Sequence, residues 1–92
     1  MILEIVTPEA TLLNTEVESV SVPGVNGEFQ MLNNHASIVS VLTSGTIKFK
    51  GTNISIDEEH KNEFTNTNDE YRLDISSGTI EMNNNKVIVL AD

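Results

Sequence analysis

Two short regions of this chain bring together side chains capable of chemistry. Asp57, Glu58, Glu59 and His60 offer three carboxylates and an imidazole at consecutive positions, ligand types that suit a divalent cation. On a strand, however, consecutive residues point to opposite faces, and no EF-hand spacing with its internal glycine is present, so a solvated charge cluster accounts for them. His35, followed by Ser37 and Ser40, has the parts of a base and a nucleophile. No G-x-S-x-G elbow accompanies it and nothing marks an oxyanion hole, so it reads as a hydrogen-bonded structural histidine. There is no cysteine, hence no thiolate nucleophile or metal ligand, and no G-x-x-x-x-G-K phosphate loop. The sequon Asn53-Ile54-Ser55 is a modification site only where a secretion signal delivers it, and none is recognisable. The expectation is a chain with no catalytic residue, no metal and no cofactor.

The elements that position these residues are strands. Apolar residues recur at period two in Ile47/Phe49, Ile54/Ile56, Tyr71/Leu73/Ile75 and Ile80/Met82, alternating with residues such as Lys48, Ser55, Arg72 and Glu81, the pattern of strands with one wet face. Turn signals interrupt them at Thr7-Pro8, Pro23-Gly24, Asn26-Gly27, Asn33-Asn34, Ser44-Gly45, Gly51, Ser77-Gly78 and Asn83-Asn84-Asn85. The predicted fold is all-β, a sandwich or flattened barrel forming one domain over residues 1–92, with no helix. Ile2 to Val6 and Val87 to Ala91 are apolar at positions of both parities, which predicts strands away from free edges and covered on both faces. Val17 is out of phase with Val20 and Val22, which predicts a bulge or bend near Ser19. Asp57 to Glu70, acidic and with Phe64 as its one large apolar residue before the flanking strand, reads as the exposed end of a hairpin.

Fourteen acidic against five basic residues give a net charge of −9, which repels a phosphate backbone and argues against nucleic acid and against an anionic lipid surface. No apolar run is long enough to cross a membrane as a helix, so direct insertion is not expected. Against this acidic background, no formally charged residue lies between Glu28 and Lys48. Burial in a core or against a partner would keep charge out. Ile38, Val39, Val41 and Leu42 read chiefly as a buried strand. Phe29, Met31 and Leu32, set between turn signals behind Glu28, read as a contact patch at one end of the sandwich.

These residues also carry a resemblance. Pro23-Gly24-x-x-Gly27-Glu28-Phe29, then His35-Ala36, Gly45-Thr46-Ile47, Ser76-Ser77-Gly78 and the closing Val87-Ile88-Val89-Leu90-Ala91-Asp92 resemble, in order, the epsilon subunit of F-type ATP synthases. The opening Leu3-Glu4-Ile5-Val6-Thr7-Pro8-Glu9 is similar to that family's first strand and turn. Two departures stand out: Asn33-Asn34 and Ser37 replace prolines and a glycine that the family often has around its histidine, and Asp57 to Glu70 matches no family motif. Asparagine tolerates positive φ and can still form the turn.

The resemblance implies a ten-stranded β-sandwich or pseudobarrel that is a non-catalytic subunit of the central rotor. It implies as partners the gamma subunit, the c-ring loops and the larger ATP synthase complex. It further implies coupling of proton translocation to ATP synthesis and a peripheral position at the cytoplasmic face of a bacterial inner membrane. The loop with Glu28, Phe29, Met31 and Leu32 is then expected to face the c-ring, and His35, Ser40 and Leu42 to face gamma. Family members commonly continue into a two-helix C-terminal domain. With the sequence stopping at Asp92, a short form lacking that helical hairpin is expected, and neither its inhibitory role nor its ATP site carries over. The competing class is a free-standing β-sandwich module binding a protein or a carbohydrate. The absence of Trp, with one Tyr and three Phe, supplies few aromatic platforms for a sugar.

Overall fold

The computed structural model describes every residue from Met1 to Asp92. Ten strands follow one another: β1 (Ile2–Val6), β2 (Thr11–Glu16), β3 (Ser19–Gly24), β4 (Gly27–Leu32), β5 (Ile38–Leu42), β6 (Gly45–Lys50), β7 (Thr65–Thr67), β8 (Glu70–Ile75), β9 (Gly78–Asn83) and β10 (Lys86–Ala91). Pairing runs β2-β1-β10-β9-β5 on one side and β4-β3-β6-β8-β7 on the other. The two halves join through a single pairing, Gly24 with Leu42, so one curled sheet folds over into two layers. Only β1 and β10 pair in parallel; every other neighbour is antiparallel. The all-β, ten-stranded expectation holds, and both terminal strands lie inside the first layer.

Strand alternation builds the core between the layers. Leu3 and Ile5, Val87 and Val89, Ile80 and Met82 turn inward from the first layer, and Val20 and Val22, Ile47 and Phe49, Leu73 and Ile75 from the second, within a cluster of 20 buried residues. Phe49 anchors it, stacked on Tyr71 at 5.5 Å between ring centroids and met edge-on by Phe64 at 5.8 Å. Two turns have both central residues at positive φ, Asn68-Asp69 (52° and 65°) and Asn84-Asn85 (52° and 62°), the geometry that two-residue hairpins require. Gly78 pairs with Ala91 where a Cβ would come within 2.5 Å of the Leu90 carbonyl oxygen, so β9 and β10 start their pairing only because that side chain is missing. The chain bends at Glu18 between β2 and β3, as expected near Ser19; the register shift lies instead between Ile5 and Val6.

Four expectations change. Asp57 to Glu70 is not simply a hairpin end: Glu58–Glu63 forms a 3₁₀ helix, followed by β7 and the Asn68-Asp69 turn. No residue of this helix is buried, so it leaves no apolar periodicity in the sequence. Ile54 and Ile56 alternate but lie on irregular chain, half-buried. That segment is tied to β2 through Thr15, whose hydroxyl accepts from the Ser55 N–H at 3.0 Å. Gly27 to Leu32 is not a loop but the edge strand β4, running the length of the second layer. Finally, β1 and β10 are packed by this chain on one face only: Ile2 and Leu90 on the other face are exposed, and Val6 and Ile88 half-exposed.

Candidate protein-binding surfaces

The candidate residues distribute by strand parity. On β4, Glu28, Gln30 and Leu32 face outward, while Met31 is 0% exposed and Phe29 packs partly into the core. Met31 therefore offers nothing to a c-ring, and the contact patch loses its assumed apolar centre. Glu28 and Leu32 share the outer face of the second layer but lie four residues apart, roughly 13 Å along the strand. Missed from sequence was Val25, exposed at the tip of the β3–β4 hairpin beside Asn26 and Gly27, the latter at φ 114°. Its signal was a large apolar residue inside a two-residue turn, where it has nothing to pack against.

Around that tip gather the ends of several strands. The Thr43 N–H donates to the Pro23 carbonyl at 2.9 Å, and the Asp92 N–H to the Ser77 carbonyl at 3.2 Å. His35 sits at the opposite end of the sandwich. There the Asn34 N–H donates to Asn85 Oδ1 at 2.8 Å, and the Met1 amine to Asn33 Oδ1 at 2.8 Å. Asn34 adopts φ 64°, so asparagine does make this turn. The His35 ring is exposed and contacts only the neighbouring Ala36 carbonyl through Nδ1, at 2.7 Å. No Ser, Asp or Glu lies within hydrogen-bond reach of it, so it is no catalytic pair.

On β5 the buried and exposed faces are the reverse of those expected. Leu42 is 2% exposed and Ser40 half-buried, whereas Val39 and Val41 are 75% and 59% exposed. Leu42 is thus a core residue and cannot contact gamma. Register places Val41, Thr79, Leu90 and Val6 in one row across β5, β9, β10 and β1, and Val39, Glu81, Ile88 and Glu4 in the next. With Leu90 at 54% exposure, Val6, Val39, Val41, Ile88 and Leu90 make this outer face of the first layer largely apolar on β1, β5 and β10, interrupted on β9 by Thr79 and Glu81 and flanked by the Glu4–Lys86 ion pair at 3.6 Å.

The acidic lobe has its own electrostatics. Lys61 Nζ donates to Glu58 Oε1 at 2.8 Å, and that hydrogen bond, with the attraction of the same carboxylate, raises the Lys61 pKa above its ordinary value. His60 approaches Glu59 at 3.8 Å. No three His, Asp or Glu side chains converge into a metal-binding group, and the carboxylates point outward as separate charges.

Comparison with known proteins decides the family. The domain described as "ATP synthase, Delta/Epsilon chain, beta-sandwich domain" matches residues 1–92. The chain belongs to this family. Among its relatives, the ATP synthase epsilon chain of Campylobacter concisus is 38% identical over 98% of this chain and 59% of its own length. That of Maridesulfovibrio salexigens is 35% identical over 100% and 54%. The chain thus spans a little over half the length of these relatives. The epsilon chain of Chlorobaculum tepidum is 32% identical over 98% of this chain and 86% of its own length. In structure, a chain from the central stalk/c-ring of the Tetrahymena thermophila mitochondrial ATP synthase superposes with a TM-score of 0.72 at 15% identity, covering 99% of this chain and 62% of that one. This last likeness concerns the fold.

Proposed function

We propose that this chain is a non-catalytic rotor subunit of a proton-translocating F-type ATP synthase, joining gamma to the polar loops of the c-ring and coupling proton flow to ATP synthesis. It would sit peripherally at the cytoplasmic face of a bacterial inner membrane. Its part is mechanical, to transmit torque without slipping.

Membership of the delta/epsilon family supports the assembly, and the observation that carries the contact is the apolar strip Val6, Val39, Val41, Ile88 and Leu90. An antiparallel sheet with one wet face normally shows polar residues there. Apolar residues on β1, β5 and β10, with only Thr79 and Glu81 of β9 between them, need a cover, and gamma is the proposed one. Val39 and Val41 replace Ser40 and Leu42 as the anchors, and His35, in the loop before β5, stays a separate gamma-facing candidate. At the other surface, the hairpin tip Val25-Asn26 with Glu28 behind it is proposed to meet the ring, Leu32 standing farther along the same face. Stable interfaces bury about 800 Å² per partner, so two such contacts fit within a total surface of 5354 Å².

The test is Val39→Lys with Val41→Lys in the assembled enzyme. Gamma association is expected to weaken at least tenfold, with the β-sheet circular dichroism and urea midpoint of the isolated chain nearly unchanged. Unaltered gamma affinity in the folded variant rejects the face. Val25→Cys, crosslinked to a cysteine in a ring loop, tests the other surface; absence of adduct in a coupled enzyme rejects it.

A further inference from the structure

We propose that Lys48 is a positioning residue that holds the Glu28 carboxylate in its docking orientation, an inference resting on the reading that the β3–β4 hairpin meets the ring. Glu28 pairs with Pro23 and Lys48 with Ser21 on opposite sides of β3, so all four side chains share the outer face of the second layer. Across that face Lys48 Nζ reaches Glu28 Oε1 at 3.1 Å, bridging β3. Pro23, directly beside Glu28, has no N–H and its ring no donor. Lys48 is the only side chain that the structure pairs with this carboxylate.

The neighbourhood gives the bridge an electrostatic setting. Lys48 stands in register with Arg72 on β8, and like charges directly opposite each other on a sheet repel. Arg72 is compensated by Glu70 at 2.9 Å, and Lys48 by Glu28. Each cation therefore faces a carboxylate of its own, and the Glu28 side chain is held against the outer face of β3 directly behind the hairpin tip. The pair stays partly open to solvent, so Glu28 can accept a further donor from a docking loop while Lys48 keeps it in one rotamer. Ordering that side chain before docking removes part of the entropy cost of association.

The experiment uses Lys48→Met and Lys48→Arg. In the assembled ATP synthase, Lys48→Met is expected to lower the yield of the Val25→Cys ring adduct, and ATP-driven proton pumping with it, by about two- to fivefold, the range an exposed ion pair supplies. Lys48→Arg should restore both, while gamma retention and melting temperature stay as in the parent. Parallel loss of gamma retention and melting temperature would mark a merely structural residue and overturn the proposal, as would wild-type adduct yield in Lys48→Met. A second readout needs no ring: three-bond couplings of the Glu28 side chain in the isolated chain. One dominant χ1 rotamer that becomes averaged in Lys48→Met supports the role. Averaging already present with Lys48 in place overturns it, whereas a fixed Glu28 with no Val25→Cys adduct in any background refutes the ring reading instead.

Discussion

At the scale of single residues, the parity of β5 decides what each apolar side chain does. Leu42 lies in the core and Val39, three positions earlier, stands outside, although the two look alike in sequence. Leu42→Ala is expected to cost about 2–5 kcal/mol, because a buried leucine leaves a cavity behind. Val39→Ala should change stability by no more than about 0.5 kcal/mol, as exposed substitutions do. Urea unfolding of both variants checks this, and comparable costs would mean that β5 is registered one residue away. The identity of a buried residue was legible in sequence wherever apolar and polar residues alternate, as in Ile47, Lys48, Phe49. It was illegible in Ile38-Val39-Ser40-Val41-Leu42, where both faces carry apolar residues and nothing local says which one is wet.

Among elements, the Asn84-Asn85 turn combines two duties. Its backbone needs positive φ, and the Asn85 amide oxygen accepts from Asn34 N–H across the end of the sandwich. Asn85→Ala loses both and should destabilise by about 1–3 kcal/mol. Asn85→Gly keeps the backbone conformation and should cost only the hydrogen bond, about 0.5–1.5 kcal/mol. Equal costs would show that the backbone term is absent. Turns of this kind were readable because Asn and Gly are the residues that accept left-handed φ. The 3₁₀ helix at Glu58–Glu63 and the strand nature of β4 were not. The helix buries nothing, so selection for an apolar face left no mark on it. In β4 only Phe29 and Met31 alternate inward before Leu32 breaks the pattern at the exposed end.

For the whole molecule, charge is the dominant long-range term. A net −9 on 92 residues favours expansion through self-repulsion, and the five ion pairs are mostly exposed and individually weak. Raising ionic strength from about 10 mM to about 150 mM shortens the Debye length from roughly 30 to 8 Å, so the urea midpoint should rise. A fall would mean that the ion pairs outweigh the repulsion. The sequence by itself determined the all-β class, most of the turns though not Asn68-Asp69, the interior position of both terminal strands and the family, because these rest on local periodicity, on φ-permissive residues and on ordered motifs. Only the tertiary structure decided which apolar residues are core and which are surface. Met31 and Leu42 went inside, Val25, Val39, Val41 and Leu90 stayed out, and Glu28 was placed on Lys48. That division depends on strand register and on which sheet face meets the other layer, properties that arise when strands distant in sequence pair.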